Sequence, residues 1–152
     1  MNLVIDASVL IKAYVPEILS DKADEVMSRI AAGELVLLAP DLIYPETGNI
    51  LWKKRRLHEL TRVEVDEIVD AISALPIKVE ASRPVMPLAV TIAMQSGITF
   101  YDAMYVAVAR IYETSMITAD KKLVEALAKT EFSEYVQWLG AEEIERGSGR
   151  TA

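Results

Sequence analysis

Four carboxylates stand where the surrounding sequence is apolar. Asp6 closes the run Val4-Ile5, and Glu46 lies in Tyr44-Pro45-Glu46-Thr47-Gly48-Asn49-Ile50-Leu51. Asp102 follows Phe100-Tyr101 and precedes Ala103-Met104-Tyr105, and Asp120 ends Met116-Ile117-Thr118-Ala119-Asp120. An ionised carboxylate among apolar groups is costly unless paired, so each of these acids needs a partner. Single-residue explanations exist. Asp6 and Asp120 suit helix N-caps, Asp102 stands three residues after Thr99 as in a capping box, and Glu46 suits a helix N-terminus through the macrodipole. Caps, however, have no reason to meet. If the four acids converge, like charges raise one another's pKa and a divalent cation relieves the repulsion. The chain has no cysteine and a single histidine, His58, which excludes thiol nucleophiles, cysteine-ligated zinc and two-histidine zinc patterns. An all-oxygen ligand set favours Mg²⁺ or Mn²⁺. Such ions activate water and stabilise the leaving oxygen of a phosphoryl transfer. Metal-assisted phosphodiester hydrolysis is the chemistry this inventory fits.

The pattern around the acids predicts the elements that must place them. Short β-branched runs at 3–5, 35–38, 77–79, 115–118 and 135–138 read as strands. Between them, helical spacing covers 7–14, 20–32, a segment from beyond Pro40 to about Arg56, then 61–75, 85–95, 99–112 and 121–129. Pro45 is tolerable only in the first turn of its helix, and Thr61-Arg62-Val63-Glu64 matches a capping box. Strands alternating with helices imply a mostly parallel sheet of about five strands covered on both faces, an α/β class with three layers. Ligands of such sheets sit beyond the carboxyl ends of the strands, where Asp6 and Asp120 fall directly. The chain length of 152 residues fits one domain, 1–140, followed by a flexible tail at 141–152 that contains Gly147-Ser148-Gly149.

Charge narrows the partners. With 16 Lys and Arg against 23 Asp and Glu, the net charge of −7 excludes binding of nucleic acid by a broad basic surface. The start of the chain lacks a basic segment followed by an apolar one, and no apolar run reaches the ~18 residues of a membrane span. No membrane association and a cytoplasmic location are expected.

The blocks Val4-Ile5-Asp6-Ala7-Ser8-Val9-Leu10-Ile11, Pro45-Glu46 with Asn49-Ile50-Leu51-Trp52-Lys53, Ile98-Thr99-Phe100-Tyr101-Asp102-Ala103 and Ile117-Thr118-Ala119-Asp120-Lys121-Lys122-Leu123 resemble, in order, those of PIN-domain ribonucleases. The nearest type is the VapC toxin of VapBC toxin–antitoxin modules, and the resemblance runs from residue 3 to about residue 138. It implies an α/β/α domain whose acidic pocket binds Mg²⁺ or Mn²⁺ and cuts RNA, a cognate VapB-like antitoxin, and a homodimer. Position by position, Asp6, Glu46, Asp102 and Asp120 match the family's four acids as metal-binding and catalytic residues. Ser8 and Thr118 match the hydroxyl positions beside the first and last acid, where they would hydrogen-bond a carboxylate or a water on the metal. Asn49 matches the recurrent Asn one turn beyond the helix acid, in a supporting role. The sequence departs from the pattern at Pro45 and Gly48, which flank Glu46. It departs again after Asp120, where Lys121 and Lys122 follow and no further acid stands to build a second metal site.

The remaining residues have competing readings. Lys53-Lys54-Arg55-Arg56 is the only dense basic cluster. It is either a solvated helix end favoured by the macrodipole or, through Lys53 two turns from Glu46, a contact for an RNA phosphate; Lys12 is a weaker candidate for the same role. Tyr101, Tyr105 and Tyr112 read as packing residues, although they and Trp52 have the chemistry to stack on unpaired bases. Val9, Ile11, Tyr14, Ile18 and Leu19 suit a core, a homodimer face or a groove for an antitoxin segment. Two other functions stay open: a non-catalytic PIN-like binding module, and a receiver-like Mg²⁺-binding signalling domain. The receiver needs an acceptor Asp at the end of the middle strand, whereas Ile77-Lys78-Val79 ends at Glu80.

Overall fold

The computed structural model describes residues 1–144. Five strands, β1 (Asn2–Ile5), β2 (Val36–Pro40), β3 (Ile77–Glu80), β4 (Met116–Thr118) and β5 (Val136–Trp138), form one parallel sheet in the order β3-β2-β1-β4-β5. The helices are α1 (Ala7–Lys12), α2 (Ser20–Ala31), α3 (Ile43–Arg56), α4 (Arg62–Ser73), α5 (Ser82–Ser96), α6 (Phe100–Ile111) and α7 (Lys121–Leu127). Of the tail expected over 141–152, residues 145–152 lie outside the described residues. Among the described residues, no helix is long and apolar enough to cross a membrane.

The layers follow from the residues. Leu3, Val4 and Ile5 of β1 and all of β4 are buried, as central strands of a doubly covered parallel sheet must be. Helix α6 packs on β1, β2 and β4 and is buried without a break from Ala103 to Ala109. Its alanines at 103, 107 and 109 let its backbone approach the sheet. Helix α5 covers α6, while α1 packs against α3 and β4, which completes the α/β/α arrangement.

Strand order reverses direction between β1 and β4, a switch point of the kind where ligands of open α/β sheets bind. Their register pairs Val4 with Met116 and Ile5 with Ile117. The next residue on each side, Asp6 and Thr118, is therefore set face to face. The receiver arrangement is not formed, because β3 is an edge strand and its terminal Glu80 accepts a hydrogen bond from Tyr112.

Among the element bounds that differ from expectation, three have an evident physical reason. Helix α5 begins at Ser82 rather than 85. Pro84 occupies its first turn, where the missing N–H has no helical partner to lose, and Pro87 is accommodated inside the helix. Helix α1 closes at Lys12 rather than 14, since Ala13 and Tyr14 continue with tighter bonds to Leu10 and Ile11 carbonyls. Strand β5 begins at Val136 because Tyr135 belongs to a 3₁₀ turn over Ser133–Tyr135. Pro45 sits in the first turn of α3, as its missing N–H requires.

Candidate active site

Asp6 leaves β1 and caps α1. Its Oδ1 accepts from the Val9 backbone N–H at 3.1 Å and from Ser8 Oγ at 2.6 Å, and its Oδ2 accepts from Thr118 Oγ1 at 2.5 Å. Ser8 Oγ and Thr118 Oγ1 in turn accept the backbone N–H groups of Ala119 and Asp120, each at 3.1 Å. Two hydroxyls thus lock the end of β1 to the end of β4. The Asp6 carboxyl is only 8% exposed. Burial raises its pKa from 3.8 to about 6, against the lowering effect of its donors and with a further push from the charge of Asp102.

The other three acids reach the same edge from different elements. Asp120 caps α7, its Oδ1 accepting from the N–H groups of Lys122 at 3.0 Å and Leu123 at 3.3 Å. Asp102 lies in the first turn of α6, where its own N–H is held by Thr99 Oγ1 at 3.1 Å. Burial pushes its carboxyl up, Thr99 partly offsets this, and the charge of Asp120 adds to the rise. Glu46, in the first turn of α3, accepts from Tyr105 Oη at 2.8 Å. Burial raises its pKa, the Tyr105 bond opposes that, and Asp102 again adds to it. The capping reading therefore holds for Asp6 and Asp120.

The charge of Asp102 is thus felt by Asp6 and Glu46, and that of Asp120 by Asp102. Asp102 is therefore the acid through which the other three are linked by charge, and their carboxylates are oxygen donors of the kind a hard divalent cation takes. As they stand, no three acids or histidines among the described residues form a ready ligand group for one ion.

Supporting residues divide. Ser8 and Thr118 stand beside Asp6, while Asn49 and Lys53 are exposed on α3. Lys12 is engaged elsewhere: Glu17 bridges it at 3.1 Å and Lys54 at 2.5 Å, tying the α1–α2 loop to α3. Lys54 also meets Glu59 at 3.3 Å. Tyr105 makes a contact with Glu46 that reading it for packing alone passed over. It is buried, yet its hydroxyl is spent on Glu46. Its position three residues after Asp102, on the same helical face, was the available signal. Tyr101 does not pack as expected but is 61% exposed. Val9 and Ile11 are core, whereas Ile18 is 85% exposed.

The family model described as the PIN domain matches residues 3–129, a span that contains all four acids. The chain belongs to the PIN-domain family. This PIN domain is 35% identical over 127 residues to Ribonuclease VapC3 of Pyrobaculum aerophilum, covering 82% of this chain and 94% of that protein. It is 30% identical over 124 residues to Ribonuclease VapC1 of Mycobacterium tuberculosis, covering 80% and 91%. Its fold is also that of the solved structure of VapBC2 from Rickettsia felis bound to a DNA fragment from their promoter. The TM-score there is 0.64 at 10% identity, over 91% of this chain and 98% of that one.

Proposed function

We propose that this PIN domain is a Mg²⁺- or Mn²⁺-dependent endoribonuclease and the toxin of a toxin–antitoxin pair, with Asp6, Glu46, Asp102 and Asp120 as its metal-holding, catalytic acids. The observation that carries this reading is that Asp102 is linked by charge to Asp6, Glu46 and Asp120, which come from three other elements. A divalent ion bound there supplies Lewis acidity, which makes water a nucleophile near neutral pH and neutralises the leaving oxygen. The chain's own residues orient the donors. Ser8 and Thr118 fix the plane of Asp6, Tyr105 fixes one oxygen of Glu46, and the α7 cap fixes Asp120. Asn49 supports Glu46 from the next turn of α3. Lys53 holds an RNA phosphate, and Lys12 does so when it is released from Glu17.

Relatives named as ribonucleases and a neighbour named as a VapBC pair support RNA as substrate and a VapB-like antitoxin as partner, whose basic segment would cover the acidic pocket. The working unit is a homodimer of domains spanning 1–140, with 141–152 as a tail, acting in the cytoplasm.

Asp6→Asn and Asp102→Asn test the assignment. RNA cleavage should fall by about 100-fold, the upper end of what disturbing the surroundings of metal ligands costs, and the heat of Mn²⁺ binding should shrink in calorimetry. Unchanged cleavage in both variants rejects it. The spacing of the acids, which form no ready ligand group, favours one other reading, a non-catalytic binding module. That reading requires the wild type to show no Mn²⁺ heat and no cleavage.

A further inference from the structure

The outer face of α3 carries side chains that the fold does not use. Ile43, Thr47 and Leu51 recur every four residues and turn to the core. About 100° round the helix from them, Gly48, Trp52 and Arg56 follow at the same spacing, all exposed, and Asn49 and Lys53 stand a further step round, opposite the core side. Trp52 is 56% exposed, and the Arg56 guanidinium lies 4.8 Å from its ring centroid. Gly48 is inside a helix, where glycine is destabilising relative to alanine. A Cβ placed there meets nothing within 4 Å, so no contact within the described chain requires glycine. Lys53 and Arg55 have no ion-pair partner among the described residues, whereas Lys54 is taken by Glu17 and Glu59.

Bare backbone, an exposed ring already stacked with a guanidinium, and unneutralised cations are what unpaired nucleotides bind: bases on the ring or guanidinium plane, phosphates on the cations. Glu46 borders this strip, because Asn49 and Lys53 follow it on one helical face. Trp52 is six residues further along, about 9 Å on the helix axis. We propose that the outer face of α3 is a subsite for single-stranded RNA, in which a base near the scissile bond stacks on the Trp52–Arg56 pair, the strand passes close over Gly48, and Lys53 holds a phosphate. The proposal rests on the ribonuclease reading above. Charge favours RNA over a second copy of the chain, since a two-fold contact through this face would set the 53–56 basic run against its own equivalent.

The test uses the full chain with EDTA and a labelled, 2′-O-methylated single strand of mixed sequence, beside the same strand in duplex. Trp52→Ala should weaken single-strand binding about tenfold and leave duplex binding little changed, while Trp52→Phe retains most of it. Lys53→Ala should lower the slope of log affinity against log salt by about 0.7. Gly48→Ala should weaken binding with no loss in melting temperature. Unchanged single-strand affinity in Trp52→Ala, with wild type binding and cleaving RNA, overturns the subsite and leaves the ribonuclease reading intact. A changed oligomeric state in Trp52→Ala with unchanged RNA affinity makes the face a protein contact instead, and also overturns it. Wild type that neither binds nor cleaves RNA removes both.

Discussion

The acidic edge and the outer face of α3 border each other at Glu46 and are built on opposite terms. At the edge each acid is tied into the fold: Asp6 has three donors, Asp120 two, Glu46 one, and Asp102 stands in a turn closed by Thr99. Asp6, the one fully buried acid of the four, needs its bonds most, because a buried polar group without partners is costly. On the outer face Gly48, Trp52 and Lys53 give the fold little. On the proposed reading, the contrast teaches that donors for a metal are held by hydrogen bonds at the sheet edge, whereas residues offered to a long flexible ligand are left in solvent.

The largest expected effect breaks the edge by pH. Burial gives Asp6 a pKa of about 6 in the folded protein against its ordinary 3.8. Between these values the folded state holds more protons than the unfolded one. The contribution is therefore fully present below pH 3.8, declines as pH rises and is lost once pH passes about 6, a change of about 3 kcal/mol. Glu46 and Asp102 are shifted in the same direction. Urea midpoints of the chelated protein should fall over that window, and Asp6→Asn should remove Asp6's part of the slope. Next in size, Thr118→Val takes a donor from Asp6 and an acceptor from the Asp120 N–H, and should cost about 1–3 kcal/mol in denaturant unfolding. The same change at Thr47, whose buried hydroxyl has no partner among the described residues, should carry no such cost. The smallest effect sharpens the other side: Gly48→Ala should stabilise the fold by about 0.5–1 kcal/mol in thermal unfolding, because α3 gains a better helix former in open space.

Much of this plan was legible before any coordinates, and the rest was hidden for definable reasons. Strand and helix alternation placed every element, since the β-branched runs around Val4, Ile77 and Ile117 are short and bounded by polar or turn residues. The start of α5 was expected at Val85, where the apolar run begins, whereas Pro84 fits the first turn of a helix, which has N–H groups to spare. The Asp6–Thr118 pairing could be expected from two neighbouring strand ends. The Tyr105–Glu46 bond spans 59 positions and depends on how α6 docks, which no local pattern records. The Lys12–Glu17–Lys54 bridge was likewise invisible, because it joins a loop to the far end of another helix.

The bond from Thr118 to Asp6 joins residues 112 positions apart, and β1 gains its β4 neighbour only through Met116 and Ile117. Chains are made from the N-terminus, and domains fold as their segments emerge. A nascent chain therefore carries Asp6 long before it has the strand that fixes Asp6 in place. The acidic edge is completed only once Met116 and the residues after it have emerged, so a chain released before Met116 holds Asp6, Glu46 and Asp102 but lacks Asp120 and the strand that fixes Asp6.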